Sequence, residues 1–255
     1  ITFVGIGLCL LCSAIISFIA IQLRSVQENN VVLDMQKKIV SSAGLDEVYG
    51  SVENAMSNIK TLIIDLDRGE IVDINPDTYE LSKELREDGK YKFLSAEEDV
   101  ASIKKREKYS KVYIEYKDNE INTLILPVRG YGLWGILYGY LAIEGDFNTV
   151  AGLEFYEHKE TPGLGAEIDN PKWKALWKGK KIYQENGEVS LKVIKGSVMK
   201  TSDNFSYEID GLSGATLTCN GVSNLIAYWM GNDGFLNFIN NLSLIHISEP
   251  TRQAS

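Results

Sequence analysis

The apolar positions at the N-terminus form one long run that is followed by a mixed stretch. Residues 1–23 contain no charged side chain. As an α-helix this run would span about 34 Å, which is enough to cross about 30 Å of hydrocarbon. It predicts one transmembrane helix, and it is longer than the apolar core of the alternative, a cleaved signal peptide. Residues 24–45 mix apolar and charged positions at helical spacing, which predicts an amphipathic connecting helix that Gly44 ends.

The middle of the chain shows the short, β-branched and aromatic segments that are typical of strands. Turn residues bound each of them, and Asp118 and Asn119 fit a hairpin turn. The region 81–109 is instead dense in Lys and Glu and predicts a solvated helix and loop. Because strands and helices are segregated along the chain, the predicted fold class is α+β with a mainly antiparallel sheet. The predicted strands are 62–66, 111–116, 122–128, 138–144, 150–156 and 190–194.

Composition narrows the organisation and the chemistry. With 255 residues, of which 44% are hydrophobic, the chain has room for one anchor and one globular domain, placed at 46–242. Acidic residues exceed basic ones, 35 against 26, and the basic ones are scattered, so nucleic acid is not an expected partner. Three cysteines, two of them in the apolar run, exclude a disulfide framework. Two histidines leave no basis for a metal site or a His-based catalytic residue.

The most informative segment is DGLSGATLT at 210–218, because a helical apolar face follows it at Val222, Leu225, Ile226 and Trp229. The segment therefore opens a helix, where free amide groups and the positive end of the helix dipole favour an anion. Two small residues allow close approach to the backbone, and three hydroxyls flank them. The small residues are Gly214 and Ala215, and the hydroxyls belong to Ser213, Thr216 and Thr218. The alternative is that Ser and Thr only cap the helix.

The pattern Asp-x-x-Ser-Gly-Ala-Thr at 210–216 resembles the flavinylation motif of bacterial membrane redox subunits. As far as about Asn240, the chain is similar to the C subunits of the sodium-translocating NADH:quinone oxidoreductases. The stretches that carry this similarity are LPVRGYGLWG (126–135), ETPGLGAE (160–167), NPKW (170–173) and DGLSGATLT. The resemblance implies covalent FMN, joined through a phosphoester to Thr216. It also implies that Asp210, Ser213, Gly214 and Ala215 shape the site and that the helix amides around Leu217 and Thr218 hold the phosphate.

Two glycine-rich segments are further candidates. The resemblance implies that the loop at 160–165 faces the flavin, with Thr161 bonding the cofactor, Gly163 in the turn and Leu164 covering the ring. Residues 130–135 read G-x-G-x-x-G, but β-like sequence follows where a dinucleotide site needs a helix. Trp134 in this turn is either a core residue, which is the preferred interpretation, or packed near the flavin.

Charged and nucleophilic residues near these motifs support no hydrolytic function. Glu157, Glu160 and Glu167 are predicted to be solvated, since charged loop residues usually are. Ser213 lies in GLSG, which departs from the G-x-S-x-G nucleophile elbow. No residue is therefore predicted to be catalytic, and the esterase alternative is disfavoured.

The resemblance implies an electron-transfer subunit that relays electrons from NADH oxidation toward quinone while the whole complex translocates sodium. Its implied partners are the other subunits, a flavin transferase and membrane lipid. It places the domain on the periplasmic side of a bacterial cytoplasmic membrane. The alternatives are the homologous G subunit of an electron transport complex that links ferredoxin and NAD, or a membrane-anchored binding module without redox function. Residues 243–255 continue no earlier pattern, and we expect this tail to be non-native.

Overall fold

The computed structural model describes residues 2–248 and begins with one long helix, α1 (Thr2–Ser42). Its segment Phe3–Arg24 has a mean hydropathy of 2.6 and is long and apolar enough to span a membrane. Its large apolar side chains are exposed, as a lipid-facing helix requires. The helix continues without a break beyond this segment as far as Ser42. Gly44 follows it with a φ of +65°, the left-handed conformation that commonly ends helices.

The chain divides into two compact units, the first ending at Lys37 and the second beginning at Lys38. The second unit contains a six-stranded antiparallel sheet, in the order β2-β1-β5-β6-β7-β8. Asp118 and Asn119 both have positive φ and form the predicted hairpin turn between β5 and β6. The α+β class is confirmed. The strands are β1 (Ile59–Asp65), β2 (Glu70–Val72), β3 (Tyr91–Phe93), β4 (Lys105–Glu107), β5 (Tyr109–Lys117), β6 (Glu120–Tyr131), β7 (Ile136–Glu144), β8 (Val150–Glu157), β9 (Lys192–Val193) and β10 (Glu208–Ile209).

Helices cover both faces of this sheet. The remaining helices are α2 (Leu45–Tyr49), α3 (Val52–Ser57), α4 (Leu81–Glu84), α5 (Pro171–Lys174), α6 (Thr216–Trp229) and α7 (Leu236–Ser248). On one face, Leu124, Leu126 and Val128 of β6 share a buried cluster with the apolar stripe of α6. On the other face, Ile125 shares a cluster with residues of α2, α3 and the end of α1. Alternate residues of one strand therefore supply two cores.

A glycine sets how closely α6 lies on the sheet. A Cβ at Gly130 of β6 would lie 2.8 Å from the Cβ of Leu225, so the helix approaches the strand where a side chain is missing. Leu225, Ile226 and Trp229 are fully buried against this surface. Each such side chain contributes about 1.5–3 kcal/mol on burial, which fixes the helix that the motif opens.

The prediction of a solvated segment at 81–109 is wrong for its second half. Strands β3 and β4 form a hairpin there, and Ala101, Ile103, Arg106 and Glu107 are buried. Both residues are buried because their charges are compensated: Arg106 pairs with the carboxylate of Asp67, and Glu107 pairs with Arg129 at 2.6 Å. A high density of charged residues marks a surface only while those charges lack buried partners.

The C-terminal part of the unit is held together by small elements. The strand predicted at 190–194 is shorter than expected and pairs in parallel with the strand that precedes the motif, β9 with β10. Helix α7 continues to Ser248 without an interruption at residue 243. The predicted tail, 243–255, thus begins inside this helix and ends outside the described residues, and its non-native origin stays a prediction.

Candidate cofactor-binding site

Helix α6 begins at Thr216 without a side-chain cap. Ala215 is the N-cap residue, and in the described part of the chain no side chain accepts a hydrogen bond from the backbone amides of the first turn. The first amide of the helix that donates a hydrogen bond to a backbone carbonyl is that of Cys219, which donates to Ala215 O at 3.0 Å. Within residues 2–248 the amides of Thr216, Leu217 and Thr218 have no hydrogen-bond partner. The interpretation that Ser and Thr serve as caps is therefore wrong, and three donors remain free at the positive end of a 14-residue helix.

The side chains of the motif divide into exposed and buried ones. Ser213, Thr216 and Leu217 are exposed, whereas Ala215 and Thr218 are buried. Thr216 thus presents its hydroxyl to solvent at the first helical position. Thr218 does not: its hydroxyl donates to a carboxylate oxygen of Glu160.

Asp210 shapes the segment that leads into the motif. Its carboxylate accepts a hydrogen bond from Val198 N at 2.7 Å, and its carbonyl accepts one from Trp173 Nε1 at 2.8 Å. These contacts tie the start of the motif to the 195–200 loop and to α5. Asp210 therefore fixes the backbone at the start of the motif, and its role toward the cofactor stays a prediction.

An open cavity of about 410 Å³ lies against the motif. Its wall includes Ser213, Gly214 and Thr216 together with Lys195, a cation that sequence reasoning did not select. Cys219 also borders it, and burial raises the pKa of its thiol, although Leu212 N donates to the sulfur at 3.3 Å. The thiol is thus a neutral wall group, and among the described residues that line this cavity Lys195 is the only cation.

The loop at 160–165 is brought against the motif. A Cβ at Gly214, whose φ is +73°, would lie 2.9 Å from the Leu164 Cδ2 atom, so this leucine lies over the glycine. Leu164 is 45% exposed, and Thr161 and Gly163 are exposed beside it. The carbonyl of Thr161 accepts from Leu164 N and Ala166 N, both at 3.1 Å, which closes the turn and leaves the threonine side chain outside.

Glu160 was missed by sequence reasoning, which treated it as a solvated loop residue. It is only 5% exposed. One carboxylate oxygen accepts from Leu133 N and Trp134 N, each at 3.0 Å, and the other accepts from the Thr218 hydroxyl. This carboxylate therefore joins the turn after β6, the loop after β8 and the first turn of α6. No local signal could have revealed this, since the bonded groups are far apart in sequence.

The preferred interpretation of Trp134 as a core residue is wrong. The side chain is 61% exposed at the tip of the β6–β7 turn, where Gly132 N donates to Gly135 O at 2.8 Å. The chain continues directly into β7, so the G-x-G-x-x-G segment opens no helix and the dinucleotide interpretation is correctly rejected. Trp134 is held near Glu160 by its backbone and has its ring free at the surface.

Residues 132–231 match the FMN-binding domain family. Over 244 residues the chain is 47% identical to the C subunit of the Na(+)-translocating NADH-quinone reductase of Pseudomonas aeruginosa, and the alignment covers 94% of each chain. The chain belongs to this family of C subunits. The corresponding protein of Vibrio vulnificus is 41% identical, with 92% of each chain covered.

Two solved structures share the fold. The crystal structure of Shewanella oneidensis NqrC has a TM-score of 0.75 at 30% identity and covers 82% of this chain and 96% of its own. The corresponding C subunit of Parabacteroides distasonis has a TM-score of 0.61 at 28% identity and covers 85% of this chain and 96% of its own. The predicted resemblance to the C subunits is confirmed, and the FMN-binding domain includes the β6–β7 turn, the 160–165 loop and α6.

The tight packing around Glu160 leads to a first testable prediction. A Cβ at Gly165 would lie 2.5 Å from the Glu160 Oε2 atom and 2.6 Å from the Thr218 hydroxyl oxygen. We expect Gly165→Ala to lower the free energy of unfolding by about 1–3 kcal/mol, as overpacking does in well-filled interiors. In thermal unfolding of the full chain in detergent, each kcal/mol corresponds to a decrease of about 2–4 °C.

The matched control is Gly135→Ala in the facing turn. There the nearest atom to a new Cβ is Lys159 Cδ at 3.3 Å, at the middle of a flexible, exposed side chain that can move away. We expect this variant to unfold within about 0.5 kcal/mol of the wild type. Equal midpoints for the two variants would show that the Glu160 junction is not tightly packed.

Proposed function

We propose that this chain is the electron-transfer C subunit of a Na(+)-translocating NADH-quinone reductase and that it carries FMN as a phosphoester on Thr216. Family membership and the FMN-binding domain support the subunit and the cofactor. The motif at 210–216 supports the attachment residue. In the proposed role the chain passes electrons from NADH oxidation toward quinone, and the whole complex couples this transfer to sodium transport.

The observation that best supports attachment at Thr216 is the geometry at the start of α6. Thr216 is exposed there, and its own amide and the two that follow have no hydrogen-bond partner in the described part of the chain. The first turn of the helix contains no acidic residue of its own. A phosphate joined to the Thr216 oxygen would meet these three donors and the positive end of the helix dipole. The residues present therefore fit a phosphate group.

The neighbouring residues fit the rest of the cofactor. Gly214 allows Leu164 to lie close to the backbone, Leu164 gives an apolar surface that is 45% exposed, and Lys195 adds a positive charge on the cavity wall. Bound FMN would supply a ring that accepts and releases electrons, while the protein attaches and orients it. We propose Trp134, on the adjoining turn, as a further ring contact.

The linkage requires help from another protein. Formation joins the Thr216 oxygen to the flavin-side phosphorus of a flavin dinucleotide and breaks the bond from that phosphorus to the bridging oxygen, and the departing nucleoside monophosphate takes up the hydroxyl proton. The net gain is therefore FMN less water. A threonine hydroxyl is a weak nucleophile without a base, and the nearest motif carboxylate, that of Asp210, is bonded to Val198 N. A separate flavin transferase is the proposed catalyst, and the exposed position of Thr216 would admit it.

The remaining parts of the proposal concern the membrane and the partners. The segment Phe3–Arg24 would anchor the chain in lipid, with the domain on the periplasmic side. Covalent attachment suits that side, because no cytoplasmic FMN pool could replace a cofactor that dissociated. NADH, quinone and sodium sites would belong to other subunits, since the G-x-G-x-x-G segment is a hairpin and residues 2–248 contain one candidate span. Relatives that are named as C subunits and cover more than nine tenths of the chain favour this role over that of the homologous G subunits.

The proposal is tested by producing the full chain in cells with and without a flavin transferase. After denaturation and removal of free flavin, we expect yellow fluorescence on the polypeptide only in the presence of the transferase. The attached flavin should be bleached by dithionite and not by NADH alone. Polypeptide from transferase-containing cells that holds no flavin would refute the attachment. Rapid bleaching by NADH would refute the proposal that the NADH site belongs to another subunit.

A further inference from the structure

Three separate segments of the FMN-binding domain meet at one buried carboxylate. The β6–β7 turn donates through the amides of Leu133 and Trp134, and α6 donates through the hydroxyl of Thr218. Glu160 itself begins the loop that places Leu164 over Gly214. In the described part of the chain, the two carboxylate oxygens of Glu160 thus accept hydrogen bonds from three donors. An ionised carboxylate can only accept hydrogen bonds, so this arrangement suits it.

The surrounding backbone leaves room for this group at two glycines. A Cβ at Gly132 would lie 2.6 Å from one Glu160 oxygen, and a Cβ at Gly165 would lie 2.5 Å from the other. Side chains at either position would displace the carboxylate. The turn and the loop are therefore built around Glu160 and do not merely pass near it.

The carboxylate also supplies a charge that α6 lacks. The helix has no acidic residue in its first turn and no side-chain cap. Through Thr218, the third residue of the helix, Glu160 places a negative charge next to the first turn, where the helix dipole favours it. A buried charge is screened less than an exposed one, so its field extends to neighbouring groups.

We infer that Glu160 is a positioning residue of the flavin site. Its carboxylate holds the Trp134 turn and the Leu164 loop on the first turn of α6, and its charge lowers the reduction potential of the attached flavin. This inference rests on the proposed attachment of FMN to Thr216. The charge acts in that direction because a fixed negative charge opposes the addition of electrons to a neighbouring group.

The test compares Glu160→Gln with Glu157→Gln in the full chain, produced together with a flavin transferase. Both substitutions remove one negative charge with little change of shape, but Glu157 is exposed and only three residues away. A glutamine oxygen can still accept from the two amides, while its nitrogen can only donate to the Thr218 hydroxyl, so a charge-assisted hydrogen bond is replaced by a weaker neutral one. We expect the Glu160 variant to carry flavin, to show a more positive midpoint potential than the Glu157 variant, and to show stronger quenching of flavin fluorescence by iodide.

A second pair of variants separates the hydroxyl contact from the charge. Thr218→Val removes the donor and Thr218→Ser retains it, while both leave the Glu160 side chain in place. We expect stronger quenching of flavin fluorescence by iodide in the valine variant and wild-type quenching in the serine variant. This comparison remains available if Glu160→Gln fails to fold. Wild-type potential and quenching in Glu160→Gln, or equal quenching in the two Thr218 variants, would overturn the inference. Absence of flavin from the wild type would instead refute the proposed attachment.

Discussion

Replacement of Thr216 by alanine should remove essentially all covalent flavin from the polypeptide. The proposed ester needs the Thr216 oxygen, and no other hydroxyl occupies the first position of α6. The substitution should leave the fold intact, because the side chain is exposed and alanine is well tolerated in a helix. We expect stability within about 0.5 kcal/mol of the wild type. In-gel flavin fluorescence, normalised to protein stain, measures the loss directly.

The controls for this experiment come from the same motif. Thr216→Ser keeps a hydroxyl at the same place and should retain attached flavin in the presence of the transferase. Ser213→Ala removes a neighbouring exposed hydroxyl but leaves the Thr216 oxygen in place, so any flavin that this variant carries should still be attached to Thr216. A fluorescent band that persists in Thr216→Ala would show that the attachment residue has been assigned wrongly.

Replacement of Arg129 by methionine should cause one of the largest losses of stability in the domain. Its guanidinium pairs with Glu107 at 2.6 Å, donates to Lys105 O at 2.9 Å and lies 5.2 Å from the centre of the Trp229 ring. Both charged side chains are almost completely buried. Removal of one partner leaves the other charge buried and unpaired, which costs about 3–5 kcal/mol. Chemical unfolding of the full chain in detergent measures this loss.

The pH dependence of the same variant follows from Glu107. Burial raises the pKa of Glu107, and Arg129 opposes that effect. Without Arg129, the pKa of Glu107 in the folded state would be raised further, and its neutral form would be favoured more strongly. When the pKa of an acid is higher in the folded state than in the unfolded state, the protein loses stability as the pH rises above the pKa of the unfolded state. The deficit of Arg129→Met should therefore grow with increasing pH.

Two further variants serve as controls for this prediction. Arg129→Met combined with Glu107→Gln removes both charges and should recover part of the stability. Lys83→Met breaks an ion pair of similar length, 2.8 Å to Glu80, between two side chains that are more than half exposed. Its effect should be at most about 1 kcal/mol. Equal losses for Arg129→Met and Lys83→Met would contradict the view that the buried pair contributes more to stability than an exposed pair.

Local patterns were sufficient to predict much of the fold. The β-branched segments became strands because neighbouring strands supplied both hydrogen bonds and buried faces. The apolar stripe of Val222, Leu225, Ile226 and Trp229 correctly predicted α6, because apolar residues at a 3.6-residue period line a single face only in a helix. The motif at 210–216 correctly predicted the start of that helix.

Long-range contacts account for what the sequence did not reveal. Glu160 bonds to amides 26 and 27 residues away and to a hydroxyl 58 residues away, so no local pattern marks it as buried. Arg106 and Glu107 were misjudged for the same reason, since their partners lie on other elements. Trp134 was misjudged in the opposite direction: a large aromatic residue is usually buried, but this one lies at the tip of a turn.

Localisation of FMN on the wild-type chain tests the central claim most directly. Trypsin should release residues 201–252 as one peptide, because no Lys or Arg lies between Lys200 and Arg252. Fragmentation of this peptide in a mass spectrometer separates Thr216 from Ser213 and Thr218. We predict a mass gain of one FMN less water on fragments that contain Thr216 and on none that lack it. An unmodified peptide from transferase-containing cells, or the same gain on another residue, would contradict the account.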